Sequence, residues 1–327
     1  MYPVLGIDVS KAKIDVALCV SVTQVATATF SNSAPGFARL DQWVNRQTEQ
    51  PLHVCLEATG RYGDAVATHL YAQDHIVSVV NPSRIHAYGR SKLRRSKTDK
   101  CDAKLIADFC ATQELAPWRP LSTQQLELQE LTRQLEDLKK SRQRVSNRLG
   151  SGIRSTTVQR LLGEQLELLA GQIQELETEI ADCTHQDEQQ KAQFKLLTSI
   201  PGIGPCTATK FLAEVPDFRQ FDSADQLAAY AGLVPRQHFS GSSVHKKSTL
   251  AKTGNSFLRT AFYMPALSAA RFNPLIAIFS KRLEERGKAK MTVVAAVMHK
   301  LLVLAYGVLK SGRPFDLNFA LTHQIAT

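Results

Sequence analysis

The sequence predicts an α/β sheet domain at the N-terminus, then a helical coiled-coil connector, then a mainly α C-terminal domain. Three observations carry that reading. Short β-branched runs alternate with helical patterns over residues 1–118, leucines recur at helical steps over 119–196, and a glycine-punctuated helical stretch fills 197–327. A chain of 327 residues is long enough for two packed cores and a connector.

The N-terminal elements follow in order. "VLGID" (4–8) and "IDVALCV" (14–20) read as strands around a turn at "VSKAK", and "QVATATFSN" (24–32) alternates as a half-buried strand does. "APGFARLDQWVNRQ" reads as a helix opened by Pro and Gly. "LHVCLEAT" (52–59) is a fourth strand, "GRYGDAVATHLYAQ" a second helix and "HIVSVVNP" (75–82) a fifth strand. "TDKCDAKLIADFCATQ" is then a helix with Thr98 at its N-cap. The order β-β-β-α-β-α-β-α lets a meander be extended through helical crossovers, the layout of ribonuclease-H-like nuclease domains.

In the connector, Leu126, Leu128, Leu131, Leu135 and Leu138 form one stripe, and Leu162, Leu166, Leu169, Ile173, Leu176 and Ile180 form another after "LGSGIRS". Two long helices of a coiled-coil hairpin fit this pattern, as a spacer or a dimerisation arm. Beyond it, "LLTSIPGIGPCTATKFLAEV" sets two short helices about a Pro-Gly-Ile-Gly turn. Such a turn either faces its N–H groups to a phosphate, as helix-hairpin-helix segments do, or simply lets two helices pack.

Composition narrows the partners. Lys and Arg number 40 against 30 Asp and Glu, a formal charge of +10 that favours nucleic acid or another polyanion. Six cysteines show no CxxC pair, which predicts reduced thiols rather than structural zinc. "MYPVLGIDVSK" lacks the pattern of a signal peptide. The apolar stretch 291–309 is interrupted by His299 and Lys300, so it reads as a buried helix and not a membrane span. A soluble, intracellular protein is expected.

Two segments carry the chemistry. From His75 through Thr98 there is no acid, while Arg84, Arg90, Lys92, Arg94, Arg95 and Lys97 supply cations; Asp99 and Asp102 follow immediately. Asp8 and Glu57 each end a predicted strand. If those strands are neighbours, the two acids lie side by side, and Asp99 and Asp102, at i and i+3, share a helix face that can cover them. Oxygen-only ligands suit Mg²⁺ or Mn²⁺, and such ions serve phosphoryl transfer. The plainer reading makes each acid a surface or capping residue. An actin-like sugar kinase also opens on a strand and an Asp, but Val9-Ser10-Lys11 replaces the Gly and Ser/Thr its phosphate loop requires. The second segment is acid-free from Gln226 through Leu283 and holds Arg236, Lys246, Lys247, Lys252, Arg259, Arg271, Lys281 and Arg282. Its "HFSGSS" reads as a Ser/Gly loop, and the one-signed charge suits a bound phosphodiester.

Six motifs, "GIDVSK", "LEATG", "SKTDKCDAKLIA", "IPGIGPCTA", "AAYAGLVPRQHFSG" and "LAKTGNSFLR", together resemble the DEDD-type insertion-sequence transposases. These are RNA-guided bridge recombinases related to Piv-type DNA invertases. The resemblance implies a RuvC-like domain with Asp8, Glu57, Asp99 and Asp102 as Mg²⁺ ligands. It implies a nucleophilic serine before the glycine of "QHFSG", which is Ser240, with Ser242 and Ser243 as alternatives because Phe239 stands where the family commonly has a further serine. It also implies donor and target double-stranded DNA, a structured non-coding guide RNA, a homo-oligomer (dimer or tetramer), and a bacterial cytoplasmic, nucleoid-associated protein. Two other functions fit the residues: a RuvC-like junction nuclease that hydrolyses DNA without a serine, and a non-catalytic nucleic-acid-binding protein.

Overall fold

The computed structural model describes residues 3–21, 24–58, 60–92, 99–240 and 244–317; the side chains of 99–100, 185–186, 236–240 and 244–248 lie outside that description. The chain forms two compact units, Met1–Pro120 and Leu121–Thr327.

In the first unit, β1 (Val4–Val9), β2 (Lys13–Cys19) and β3 (Val25–Ser31) make an antiparallel meander. β4 (His53–Glu57) joins β1 in parallel and β5 (Ile76–Val80) joins β4, giving the order β3-β2-β1-β4-β5. The crossovers are α1 (Ala34–Asn45) and α2 (Asp64–Tyr71), and α3 (Pro82–Ser91) and α4 (Asp99–Thr112) follow β5. Alternation along the strands sorts the side chains into two layers. Leu5, Ile7, Ile14, Val16, Leu18, Val54 and Leu56 pack with Phe37, Leu40 and Val44 of α1 and Val66 and Leu70 of α2. On the opposite face Val4, Ala17, Cys55 and Val80 meet Ile85 of α3 and Ala103, Ile106, Ala107, Phe109 and Cys110 of α4. The mixed sheet is thus covered by helices on both faces.

The predicted strand order is present, with one addition. α3 occupies a stretch that the sequence reading left as the end of a strand and a basic run. Asn81 caps it by accepting from the Ser83 backbone N–H at 2.9 Å, and Pro82 sits in its first turn. Its single buried residue, Ile85, leaves almost no apolar periodicity to read. The proposed Thr98 cap lies outside the described residues.

In the second unit, α5 (Thr123–Leu149) and α6 (Thr156–Gln186) form a helical hairpin whose starts are capped by Ser122 and Ser155. Leu128 and Leu135 are buried with Ile173 and Ile180, and Lys139 bridges to Glu177 at 2.7 Å. Leu126, placed on the same stripe by its spacing, is exposed. The chain continues through α7 (Glu188–Thr198), α8 (Pro205–Glu214), α9 (Ala224–Tyr230), β6 (Pro235–Ser240), β7 (Val244–Leu250), α10 (Ser256–Ala261), α11 (Tyr263–Phe272), α12 (Pro274–Glu285) and α13 (Lys290–Ser311).

α13 is long and apolar enough to cross a membrane, yet Val293, Val297, Leu301, Leu302 and Leu304 pack among Leu197, Phe211, Leu227 and Phe262 in this unit's core. The Pro-Gly-Ile-Gly turn joins α7 to α8. Gly202 has φ +106°, and a Cβ there would sit 2.6 Å from the Ala269 Cβ, so its glycine is required by packing against α11. The antiparallel β6–β7 pair departs from the expected Ser/Gly loop. Its strands, PRQHFS and VHKKSTL, carry polar residues at odd and even positions alike, a pattern too hydrophilic to read as a buried strand.

Gly6 sets the distance between sheet and helix. A Cβ at this position would collide with the Ala107 backbone nitrogen and the Ala103 carbonyl oxygen of α4, and lie 2.8 Å from the Ala107 Cα. Gly6→Ala therefore costs about 1–3 kcal/mol of stability, the usual price of overpacking. Trp43 and Trp118, the two tryptophans of the chain, both belong to the first unit, so their fluorescence during urea titration reads this loss directly. Gly163→Ala, within α6 where an added Cβ meets nothing within 4 Å, has the opposite sign and stabilises by about 0.5–1 kcal/mol.

Candidate active site

Asp8 stands one residue beyond the paired Ile7 and Leu56 of β1 and β4, and Glu57 stands one residue beyond Leu56. The parallel register therefore sets the two acids on neighbouring strands, at the same level and on one face of the sheet. That is the face covered by α4. The direction of α4 follows from its contacts: the Cys110 thiol reaches the His53 carbonyl oxygen at 3.8 Å, next to Val4, while Ala103 and Ala107 lie over Gly6. Continuing back along the helix brings Asp102 and the first residue, Asp99, towards the Asp8–Glu57 end. Asp8, Glu57 and Asp102 are half-buried, and the Asp99 side chain lies outside the description. No group of three or more His, Cys, Asp or Glu poised to hold a metal occurs among the described residues. The donors gathered here are carboxylate oxygens, which match the preference of Mg²⁺ or Mn²⁺.

Two features of this end escaped the sequence reading. Asp15 pairs directly with Asp8 across β1 and β2, so a further carboxylate lies on the same face. It is 4 % exposed, accepts from the Thr29 hydroxyl at 2.6 Å and pairs with Lys13 at 2.9 Å. An acid inside the apolar run "KIDVALC" was the available signal. Asn32 is the second. Its side-chain amide donates to the Ser10 carbonyl at 3.0 Å and to the Tyr62 carbonyl at 2.9 Å, holding together the segments that follow Asp8 and Glu57. Deeper on the same face, the Cys110 thiol donates to the His53 carbonyl oxygen and so fastens α4 to β4; the interaction between the neighbouring Cys55 and Cys110 thiols pushes the pKa of Cys55 up and that of Cys110 down.

The serine region belongs to the second unit. Ser240 ends β6 and pairs with Val244 of β7, so it stands beside the turn of the hairpin. Its side chain lies outside the description, as do residues 241–243, which include the alternatives Ser242 and Ser243. The register shifts between Arg236 and His238, a bulge that re-aims the residues beyond it.

The predicted cations divide into three groups. Arg84, Arg90 and Lys252 are exposed; the Arg84 guanidinium lies 5.4 Å from the Phe109 ring centre. Arg259 is partly committed, since its guanidinium donates to the Ala231 carbonyl at 3.1 Å. Arg94, Arg95 and Lys97 lie outside the described residues, and Arg236, Lys246 and Lys247 have described backbone alone.

Acids on two parallel strands and one helix start are the type of donor that can hold a divalent cation. Comparison with known proteins narrows the class. A DEDD transposase model matches residues 5–157, and a model described as "Transposase IS116/IS110/IS902 family" matches residues 194–281. The pilin gene-inverting protein of Moraxella bovis is 36% identical over 316 residues, covering 95% of this chain and 97% of the relative. That of Moraxella lacunata matches equally, at 36% over 95% and 97%. The transposase for insertion sequence element IS1111A of Coxiella burnetii is 29% identical over 56% of each chain. The chain belongs to the IS116/IS110/IS902 transposase family and is an enzyme of DNA recombination.

The Asp15–Thr29 contact yields a direct test. Thr29→Val removes the donor to a buried carboxylate at nearly constant shape, and costs about 1–3 kcal/mol. Tryptophan fluorescence during urea titration checks the value.

Proposed function

We propose that the protein cuts and rejoins DNA with a RuvC-like carboxylate centre and a serine nucleophile, under the direction of a structured non-coding RNA. One observation carries the first half: the β1–β4 register sets Asp8 beside Glu57 beneath the starting turn of α4, which bears Asp99 and Asp102. Bound at these acids, Mg²⁺ or Mn²⁺ supplies charge neutralisation at the scissile phosphate and its leaving oxygen. Asp8 and Glu57 hold their side of that site from rigid strands, and α4, tied down at Gly6 and Cys110, holds the other.

The second half rests on the serine hairpin and the family motif "QHFSG". The Ser240 hydroxyl attacks the phosphorus, the bond from phosphorus to the DNA leaving oxygen breaks, and the serine proton passes to a nearby base or to solvent. Candidate groups around it in the sequence are His238 and His245, and Arg236, Lys246, Lys247 and Lys252 supply positive charge for the developing phosphorane. The resulting seryl–DNA ester preserves bond energy for rejoining. Donor and target duplexes, the guide RNA and a dimer or tetramer complete this reading, which places the protein on the nucleoid in the cytoplasm. Inversion within one DNA molecule suits the inverting relatives, which match almost the whole chain.

Three variants test the assignment. Asp102→Asn and Glu57→Gln remove charge at near-constant volume, so DNA binding persists while Mg²⁺-dependent cleavage falls by roughly 100-fold or more. Ser240→Ala abolishes a denaturation-resistant protein–DNA adduct. An adduct that survives Ser240→Ala but not Ser242→Ala or Ser243→Ala moves the nucleophile along the turn, and cleavage that needs Asp8 but no serine makes the enzyme a hydrolytic nuclease.

The charge reading has its own measurement. Neutralising about 6 phosphates gives a log–log slope of affinity against salt near −5 on duplex DNA. A flat response contradicts binding through the basic segments. Protein freed of co-purifying RNA should retain this salt-dependent binding yet lose selection among target sequences.

A further inference from the structure

The second unit contains a buried polar junction centred on Glu214, two of whose partners, Tyr230 and Asn255, fall within the motifs "AAYAGLVPRQHFSG" and "LAKTGNSFLR". Glu214, the last residue of α8, is 3 % exposed. Both its oxygens are engaged: Arg133 of α5 donates Nε to Oε1 and Nη2 to Oε2, each at 2.8 Å, and the Asn255 amide donates to Oε2 at 2.6 Å. The Arg133 guanidinium also stacks 4.6 Å from the Phe257 ring centre. A forked, charge-assisted contact of this kind fixes direction as well as distance.

Asn255 is the pivot between this junction and the serine hairpin. Its backbone N–H donates to the Tyr230 carbonyl at 2.7 Å, and its side-chain oxygen caps α10 at the Leu258 N–H, 2.9 Å away. The Tyr230 hydroxyl returns to the Glu214 carbonyl at 3.3 Å. The two segments leaving the hairpin are also locked together. The Ala251 N–H donates to the Val234 carbonyl at 3.0 Å, and Arg259 holds the Ala231 carbonyl. At Gly254, φ is +145° and a Cβ would collide with the Tyr230 carbonyl oxygen. An isolated two-stranded hairpin is marginally stable in water, so its geometry depends on what grips its base.

We infer that Glu214 is a positioning residue: through Asn255 it fixes the base of the β6–β7 hairpin on α8, and with Arg133 it ties that base to α5. The inference rests on the proposal that Ser240 acts on DNA, and it assigns to Glu214 the aim of that serine. Misplacing a reacting group by about 1 Å can cost on the order of 100-fold in rate, whereas a hairpin bound through its charges keeps its affinity for DNA.

Glu214→Leu alone would strand Arg133 and endanger folding, so the informative variant is Glu214→Leu with Arg133→Met. Replacing a buried ion pair by apolar residues of similar volume is often neutral for stability. Three quantities are measured on the full chain: unfolding temperature, amide exchange across residues 233–259, and single-turnover strand cleavage at saturating DNA. We expect an unfolding temperature and DNA affinity near wild type, faster exchange confined to β6, β7 and the segment to Asn255, and cleavage slowed by roughly 10–100-fold. Arg133→Lys, which keeps the charge but loses the fork, should fall between. Wild-type exchange and cleavage rate in the double variant overturn the inference, as does exchange that rises equally in every helix of the unit. Ser240→Ala run in parallel separates the two claims. An adduct persisting there removes the nucleophile assignment, while the exchange data, which do not involve that hydroxyl, judge the role of Glu214.

Discussion

The contact on which the first unit depends is the approach of α4 to β1 at Gly6. Without a side chain there, the helix backbone comes down onto the strand and its Ala103 and Ala107 pack on the sheet. A helix seated so low cannot slide or roll without clashing. Its N-terminal turn is therefore fixed over the ends of β1 and β4, and the acids that the strands and the helix contribute share one region. The hydrogen bond from the Cys110 thiol to the His53 carbonyl secures the far end. Asn32 secures the loops beyond the strands, where the chain would otherwise leave the sheet freely.

The second unit solves a different problem by different means. Among the described residues its hairpin joins no larger sheet; strands β6 and β7 form their own two-stranded sheet. What restrains them is polar: the carboxylate of Glu214, two donors on Arg133, and the amide of Asn255. In the first unit steric exclusion positions the helix over the strand ends, and in the second directional hydrogen bonds position the hairpin. Core packing around α13 supports the platform under those bonds.

Much of the first unit was legible because its strands obey simple rules. β-branched runs ending in an acid, as at Asp8 and Glu57, announce both a strand and a carboxylate at its end. The neighbouring of β1 and β4 was a topological condition, and the parallel register meets it. α3 was not legible, because a cationic helix with Ile85 as its single buried residue carries no periodicity. Asp15 was hidden for another reason: an acid within an apolar strand reads as noise until its cross-strand partner is known. Glu214 and Arg133 stand 81 positions apart and meet through tertiary packing alone. The hairpin was missed because its strands are polar on both sides of the alternation.

The position of α13 sets an order in time. A polypeptide emerges from the ribosome N-terminus first, and domains fold as units as they appear. The first unit has all its strands and helices by residue 120. The second must wait for residues 290–311, since Leu197, Phe211 and Leu227 find their apolar partners in that late helix. During synthesis there is thus an interval in which a nascent chain owns its carboxylates but has no finished platform for its serine hairpin. A chain halted by a premature stop before α13 would remain in that condition, able to fold one half and unable to complete the other.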